Sequence, residues 1–313
     1  MISIVIPTYM GASNLLVLVD RLNSVMTNLK DDYEIIFIND NSPDQTKEIL
    51  ETQCASNYKI KLITLSRNFG QQAAISAGLD FAAGDAVIIM DDDLQDPPEF
   101  IPELINIWKE GYDIVYAVRT KRKESLIKRI GYNLFYRLLN GLSENRIPKN
   151  AGDFSILDRK VVDILRKMPE IERFNRGLRS WIGFKQIGVT CEREARYMGQ
   201  PAYNLRKTIK LALDGIVSFS NFPLRIASIV GFIVSTLSFF GFLFTLFQKF
   251  ISIYYPNNPI SVWEGFSTIV LSILFLGGVQ LLMIGILGEY IGRIFKEVKN
   301  RPKYIVQEKI NIN

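Results

Sequence analysis

Short apolar runs alternate with amphipathic stretches through the first 120 or so residues of the chain. This alternation predicts β-strands followed by α-helices, and hence an α/β fold with a mostly parallel sheet and helices on both faces. The predicted strands are Ser3–Ile6, Glu34–Ile38, Lys61–Leu65, Ala86–Met90 and Asp113–Ala117, and the predicted helices are 13–29, 43–55, 71–83 and 98–109. Because such sheets bind ligands beyond the carboxyl ends of their strands, we expect the chemistry just after each strand.

Two apolar runs without a charged residue, 226–247 and 266–287, predict transmembrane helices. At 1.5 Å per residue each reaches about 33 Å, enough to cross a hydrocarbon layer about 30 Å thick. A pair of buried core helices is the alternative interpretation. The segment 204–223 predicts a basic amphipathic helix on the membrane surface, with a surface helix of the globular domain as its alternative.

This pattern divides the chain into a globular domain (1–203), the juxtamembrane helix (204–223), a membrane segment (224–292) and a basic tail (293–313). Lys and Arg concentrate before the first span and after the second, whereas the loop between the spans holds only Lys249. The positive-inside rule therefore predicts that both termini and the globular domain are cytosolic. The flanking basic residues are Arg206, Lys207, Lys210 and Arg225 before the spans, and Arg293, Lys296, Lys299, Arg301 and Lys303 after them.

Composition narrows the possible chemistry. The 313 residues are 48% hydrophobic and 22% charged, and they include no histidine. Histidine-dependent triads and imidazole acid–base catalysis are therefore excluded. Two cysteines offer neither a disulfide framework nor a zinc site and suit a reducing cytosol. The net charge of +5 clusters beside the apolar segments, which favours a membrane surface over nucleic acid as a partner.

The sequence DDDLQDPPE directly follows the fourth predicted strand. Alternate residues of an extended segment point the same way, so Asp91, Asp93 and Gln95 are expected to converge on one cation while Asp92 turns away from it. Oxygen ligands suit Mg²⁺ or Mn²⁺, which proteins commonly share with substrate phosphates. The structural alternative is that these acidic residues only cap the helix that follows.

The sequence NDNSPDQT follows the second strand, where Asp40 or Asn41 would hydrogen-bond a base or a ribose. The same residues also form a good turn and helix cap, and the two interpretations stay open. Nothing matches GxGxxG or GxxxxGK[ST], so neither a nicotinamide-binding nor a P-loop motif is present.

At this point the motifs together carry a resemblance that covers nearly the whole chain. They resemble the family-2 glycosyltransferases that load polyprenyl phosphates, above all bactoprenol glucosyltransferases and more distantly dolichol-phosphate mannosyltransferases. The matching segments are PTY, NDNSPDQT, SRNFGQQAAISAG, MDDDLQDPPE, GYDIVYAVR, AGDFSILDRKVV, ALDGIVSFSNFPLR and GEYIGRIFKEVKNRP.

The resemblance implies a GT-A domain, followed by two spans, in the bacterial inner membrane. It would transfer a sugar, glucose as the first expectation, with inversion from a UDP sugar to undecaprenyl or another polyprenyl phosphate for envelope glycan modification. Homo-oligomerisation is also expected. The residues implied are Pro7, Tyr9, Asp40, Asp91 and Asp92 for the nucleotide, Asp91, Asp93 and Gln95 for Mg²⁺ or Mn²⁺, Asp153 and Asp93 for catalysis, Arg119 and Arg129 for the acceptor phosphate, and Arg193 and Arg196 for a loop over the diphosphate.

Two departures from the family pattern stand out. The family reads PxYNE after the first strand, whereas this chain has Met10 and Gly11 in place of the Asn and Glu. In the loop after Arg196, the family's Ser/Thr-Lys-Tyr is replaced by residues 200–203, Gln-Pro-Ala-Tyr.

The acceptor explains how a chain without histidine would work. A phosphomonoester is largely dianionic at pH 7, so its transfer requires positioning and charge neutralisation rather than a strong base. Asp153 is expected to orient the acceptor or the sugar, with a base and a turn residue as alternatives. The competing functions are a processive polysaccharide synthase, which would need QxxRW and more spans, and a silent membrane-anchored protein that binds sugar nucleotides.

Overall fold

The computed structural model describes residues 1–29, 31–119, 151–171, 173–191, 222–254 and 266–312. They fall into two compact units. The first comprises Met1–Gly215 together with Asn300–Asn313, and the second comprises Ile216–Lys299. The predicted amphipathic helix 204–223 lies outside the described residues except for its last two positions, as do Arg129, Arg193 and Arg196.

The first unit is built on an eight-stranded, mostly parallel sheet in the order β7-β5-β6-β4-β1-β2-β3-β8. Strands β6 and β8 run antiparallel to their neighbours, and the other pairings are parallel. The strands are β1 (Ile2–Thr8), β2 (Tyr33–Asn39), β3 (Ile60–Leu65), β4 (Ala86–Ile89), β5 (Ile114–Arg119), β6 (Ala151–Asp158), β7 (Gln186–Cys191) and β8 (Val306–Ile310).

Helices follow the strands as the alternating pattern predicts. The helices of the first unit are α1 (Leu15–Leu29), α2 (Thr46–Ser56), α3 (Gln71–Phe81), α4 (Ile101–Lys109, after a 3₁₀ turn at Pro98–Phe100), α5 (Arg159–Lys167) and α6 (Asn175–Trp181). Every residue of β1, β2 and β4 is buried, as expected when helices cover both faces of a parallel sheet. The predicted α/β architecture, typical of a GT-A domain, is therefore confirmed.

Three strands of the sheet are not among the five that the sequence predicts. Strand β7 pairs parallel with β5. Strand β6 lies between β4 and β5, pairing antiparallel with both, so β4 and β5 are not neighbours. The predicted tail 293–313 also contains β8, which pairs with β3 from Leu62↔Ile310 to Leu65↔Val306. All three strands pair with residues distant in the chain, and local sequence patterns do not encode such pairings.

The second unit contains two long apolar helices, α7 (Phe222–Tyr254) and α8 (Phe266–Val298). In the described part of the chain, one segment, Phe275–Val298, is long and apolar enough to cross a membrane. A shorter apolar segment, Ile229–Gly241, lies in α7. Both predicted spans thus fall on helices, but the structure supplies one candidate span rather than two.

Candidate functional site

The candidate site lies at the sheet edge where β1, β2, β3 and β4 end. These four strands are parallel, so the residues that follow them meet at a common edge. The sequence-predicted residues Tyr9, Asp40 and Asp91–Asp93 all fall at this edge, directly after β1, β2 and β4. Pro7 lies buried within β1, and the Tyr9 side chain is 48% exposed.

Asp91 and Asp93 are oriented by neighbouring groups. The Gln71 side chain, at the start of α3, donates from Nε2 to Asp91 Oδ1 at 2.7 Å. The Gln95 backbone N–H donates to Asp93 Oδ1 at 3.1 Å, which closes a tight turn around Leu94. Leu94 itself is buried with φ +56°, a left-handed conformation that is uncommon for a branched side chain. The turn therefore fixes the carboxylates at a local conformational cost.

Negative charge accumulates around these carboxylates. Burial, followed by the charges of Asp153, Asp96 and Asp93, raises the pKa of Asp91 to about 7. Burial and the neighbouring charges of Asp91 and Asp93 raise the pKa of Asp92 to about 8. A bound cation would relieve this repulsion, and oxygen donors are the ligands that Mg²⁺ and Mn²⁺ prefer.

The donor set fits a cation that is shared with a ligand. Among the described residues, no three His, Cys, Asp or Glu side chains are grouped so that they would hold a metal ion by themselves. Mg²⁺ typically takes one or two protein carboxylates and completes its shell with waters and substrate phosphates. Asp91 and Asp93 suit that arrangement, and coordination by the Gln95 side chain stays a prediction.

Asp92 faces the loop that follows β1, where Gly11 lies. Its Oδ2 is buried and has no hydrogen-bond partner among the residues that the structure describes. A Cβ built on Gly11 would lie 2.4 Å from that oxygen and 2.8 Å from Thr8 Cγ2, so a side chain at position 11 would collide with Asp92. Met10 precedes it with φ +57° and donates its backbone N–H to Ser42 Oγ at 3.1 Å. At the position where the family has Glu, this chain has Gly11, and the Asp92 carboxylate occupies the space that a side chain there would need.

Asp40 has a structural task at this edge. Its two carboxylate oxygens accept the backbone N–H groups of Phe69 at 2.7 Å and Gly70 at 2.8 Å. Its side chain is buried, and burial raises its pKa against the opposing effect of these two hydrogen bonds. The turn interpretation of this segment also has support, because Asn39 Oδ1 accepts the Ser42 N–H at 3.0 Å. Nucleotide contact by Asp40 stays a prediction.

Asp153 lies on β6, where it is 6% exposed and bound to an arginine. Arg176 of α6 donates from Nε to Asp153 Oδ1 and from Nη2 to Oδ2, both at 2.8 Å. Arg179, one helical turn later, is 4% exposed, and its guanidinium lies 4.8 Å from the Tyr116 ring centroid. Burial lowers the Arg179 pKa to about 10.

These two arginines were missed by sequence reasoning, although their signal is present. In the segment RFNRGLRSW, Arg176 and Arg179 stand three residues apart and therefore share one face of a helix. Their partner Asp153 is distant in sequence. The predicted acceptor residue Arg119 ends β5, whose carboxyl end lies at the same sheet edge as that of β4. Arg129, Arg193 and Arg196 belong to the part of the chain left undescribed.

Comparison with known proteins adds an independent line of evidence. Residues 3–165 match the profile described as Glycosyl transferase family 2. An uncharacterized glycosyltransferase of Bacillus subtilis is 45% identical over 311 residues, covering 99% of this chain and 94% of the relative. A bactoprenol glucosyl transferase of Shigella phage SfII is 44% identical over 276 residues, covering 88% and 87%.

Among solved structures, glucosyl-3-phosphoglycerate synthase from Mycobacterium tuberculosis in complex with Mn²⁺, UDP-glucose and phosphoglyceric acid is 17% identical. Its TM-score is 0.46, with 69% of this chain and 77% of that chain covered. The family match extends over more than half of the sequence, and the 45% identical relative is matched over almost all of it. The chain therefore belongs to Glycosyl transferase family 2.

Proposed function

We propose that the protein transfers a sugar, with glucose as the first candidate, from a nucleotide diphosphate sugar to a polyprenyl phosphate. The observation that carries this proposal is the group of Asp91, Asp92 and Asp93 at the ligand edge of a chain that also holds the apolar helix segment Phe275–Val298. A cation-binding edge suits a water-soluble diphosphate, and an apolar helix suits a lipid acceptor. The relative from Shigella phage SfII carries the name bactoprenol glucosyl transferase, which favours an undecaprenyl carrier.

We infer that UDP is the nucleotide and that Mg²⁺ or Mn²⁺ is the cofactor. The metal, when bound, neutralises the charge that develops on the departing nucleoside diphosphate. Asp91, Asp93 and Gln95 would hold it, and Gln71 keeps the Asp91 carboxylate in place. Pro7, Tyr9, Asp40 and Asp92 are the proposed residues on the nucleotide side of the same edge.

Asp153 is proposed as a positioning group rather than a base. Both its oxygens accept hydrogen bonds from Arg176, so proton abstraction would require that pair to open. A phosphate acceptor is already largely deprotonated at pH 7 and does not need such a step. Inversion then follows from in-line attack of the phosphate oxygen on the anomeric carbon, as the sugar–diphosphate bond breaks.

We propose that Arg119 and Arg129 bind the acceptor phosphate and that Arg193 and Arg196 close over the diphosphate. Arg119→Ala and Arg129→Ala should each raise the concentration of polyprenyl phosphate that gives the half-maximal initial rate by about ten- to a hundredfold. Lysine should restore only part of this loss, because it keeps the charge but not the planar fork. Loss of nucleotide affinity with unchanged acceptor dependence would instead assign these arginines to the donor.

The proposed topology has both helices crossing the bilayer, with both termini and the catalytic domain in the cytosol. The distribution of Lys and Arg supports it, because basic residues flank the two helices and only Lys249 lies in the loop region between the predicted spans. A reporter fused near Asn257 should be extracytoplasmic and one at the carboxy terminus cytosolic. Both reporters on one side would leave a single crossing.

The decisive experiment incubates the purified full-length protein with polyprenyl phosphate and a panel of labelled nucleotide sugars, with Mn²⁺ or with chelator. One labelled lipid product bearing a single sugar, formed from one donor, is the expected result. A growing polymer would indicate a processive synthase. Donor binding without turnover would indicate a membrane-anchored binding protein.

A further inference from the structure

The last strand of the sheet comes from the carboxy-terminal end of the chain and reaches the candidate site. Strand β8 runs antiparallel to β3, so its first residue, Val306, pairs with Leu65 at the carboxyl end of β3, on the same edge as the candidate site. The register shifts between Thr64 and Leu65. Such irregularities are over-represented beside active sites, where they redirect the chain.

The pairing continues beyond the strand into the loop Ser66–Gly70. The Ser66 backbone N–H donates to the Ile305 carbonyl at 2.9 Å. At the other end of the loop, Asp40 accepts the N–H groups of Phe69 and Gly70. The loop is therefore held at one end by β2 through Asp40 and at the other by the carboxy-terminal segment.

Between these two anchors lies Arg67, an exposed cation at an edge that is otherwise rich in carboxylates. Its guanidinium lies 4.1 Å from the Phe69 ring centroid, so the ring limits the positions that the side chain adopts. Its position therefore depends on how the loop is held.

The carboxy-terminal segment is itself fastened at both ends. At the end of the segment that precedes β8, Tyr304 Oη donates at 2.7 Å to Oδ2 of Asp80, which lies in the last turn of α3. At the opposite end of the strand, Asn311 Nδ2 donates to the carbonyls of Cys54 at 2.9 Å and Ile60 at 2.8 Å. Asn311 lies where β3 begins, away from the ligand edge.

We propose that the carboxy-terminal segment Lys303–Asn311 is a positioning element of the donor site, which holds the loop Ser66–Gly70 so that Arg67 meets the donor diphosphate. This inference rests on the proposed function, because the ligand is the donor proposed above. The segment contributes no group to the reaction. It acts through the Ser66 hydrogen bond and the end of β3.

The test compares Tyr304→Phe, at the site end of the segment, with the matched control Asn311→Ala at the far end. The full-length protein is titrated with UDP in the presence of Mn²⁺ by calorimetry, and amide exchange of residues 66–70 is measured. Tyr304→Phe should weaken UDP binding about fivefold, the effect of losing one hydrogen bond, and should speed exchange in the loop. Asn311→Ala should lower thermal stability and leave both readouts unchanged.

Arg67→Ala tests whether the carboxy-terminal segment affects UDP binding through Arg67. It should weaken UDP binding by itself, and Tyr304→Phe should add little in the Arg67→Ala background, because both changes act through one contact. A chain ending at Pro302 should lose at least the effect of Tyr304→Phe, and an added peptide of residues 303–312 should restore binding by strand addition.

Three outcomes decide the matter. Failure of the wild-type protein to bind UDP would overturn the proposed function and not only this inference. Normal UDP binding in the wild type, Tyr304→Phe and the shortened chain would overturn the positioning role alone. Equal loss of binding in Tyr304→Phe and Asn311→Ala would also overturn it, because the segment would then only stabilise the sheet.

Discussion

Two regions of the site differ in how the charge of their carboxylates is compensated. On β6, Asp153 is matched by Arg176, which donates to both of its oxygens at 2.8 Å. After β4, Asp91 has Gln71 as a neutral donor, and neither Asp91 nor Asp92 has an ion pair among the described residues. Burial and mutual repulsion raise the pKa of Asp91 to about 7 and that of Asp92 to about 8.

The negative charge of Asp153 is neutralised by a residue of the protein itself, whereas the charge of Asp91 and Asp92 is left for a bound cation to neutralise. A buried ion pair such as Asp153–Arg176 contributes to a defined local structure, and removing one partner leaves an uncompensated charge. Carboxylates that repel one another destabilise the free protein and are typical of functional sites. The Asp91–Asp93 edge is therefore expected to trade stability for binding of a cation.

The largest expected effect is on turnover. Asp91→Asn and Asp93→Asn should each reduce transfer by at least about a thousandfold, because each removes a charged ligand of the metal. Asp92→Asn is the matched comparison and should be much milder, since this side chain faces Gly11 and is not a proposed metal ligand, and asparagine keeps its size and an oxygen acceptor on the nucleotide side. Chelator should stop the wild type, and added Mg²⁺ or Mn²⁺ should restore it. Full activity in chelator, or Asp92 as the essential member, would contradict the metal assignment.

Arg176→Ala should have the largest effect on stability. It removes the guanidinium that donates to both oxygens of the buried Asp153 carboxylate, at a cost of about 3 kcal/mol, the lower end for buried pairs because Arg176 is 26% exposed. The double variant Asp153→Asn/Arg176→Met should recover much of this loss, as denaturant unfolding would show. Asp91→Asn should instead stabilise the metal-free protein. Destabilisation by both single changes would mean that the two regions do not differ.

Much of the fold was predictable because it is encoded locally. The alternating runs located β1 to β5 and α1 to α4 to within a few residues, and with them the shared carboxyl edge of β1 to β4 where the candidate site lies. Strands β6, β7 and β8 were not predicted, because each depends on pairing with residues distant in the chain. Strand β6 is inserted antiparallel between β4 and β5, β7 lies beside β5, and β8 lies antiparallel at the edge of the sheet beside β3. The periodicity of hydrophobic residues in these segments does not indicate which strands they pair with.

The candidate site was predictable in position and less so in contacts. The order of residues placed Asp91–Asp93 after a buried strand, which is where the structure has them. The partners of Asp40 and Asp153 lie about 30 and 23 residues away in sequence, so the choice between ligand binding and loop anchoring needed coordinates. From the sequence, Gly11 is only a departure from the family pattern. The structure adds that the Asp92 carboxylate lies where a side chain at position 11 would be.

A smaller effect is expected for the pH dependence of the free energy of unfolding of the metal-free protein. Asp91 and Asp92 have folded-state pKa values above the usual 3.8, so the folded state binds more protons than the unfolded state between about pH 4 and 8. Stability should therefore fall as pH rises through this window and level off above it. Unfolding in chelator would show this slope, and saturating Mn²⁺ should reduce it. A slope of the opposite sign would mean that these carboxylates are already compensated in the free protein.

The smallest effect tests how tightly the acidic edge is packed against the first loop. Gly11→Ala should cost about 1 to 2 kcal/mol, because the new Cβ would lie 2.4 Å from Asp92 Oδ2 and force that carboxylate to move. In the Asp92→Ala background the same change should cost much less, since only the contact with Thr8 Cγ2 at 2.8 Å would remain. A double-mutant cycle by denaturant unfolding measures this coupling. An equal cost in both backgrounds would assign the need for glycine to Thr8 and the backbone, and Asp92 would then no longer explain why this chain has Gly11.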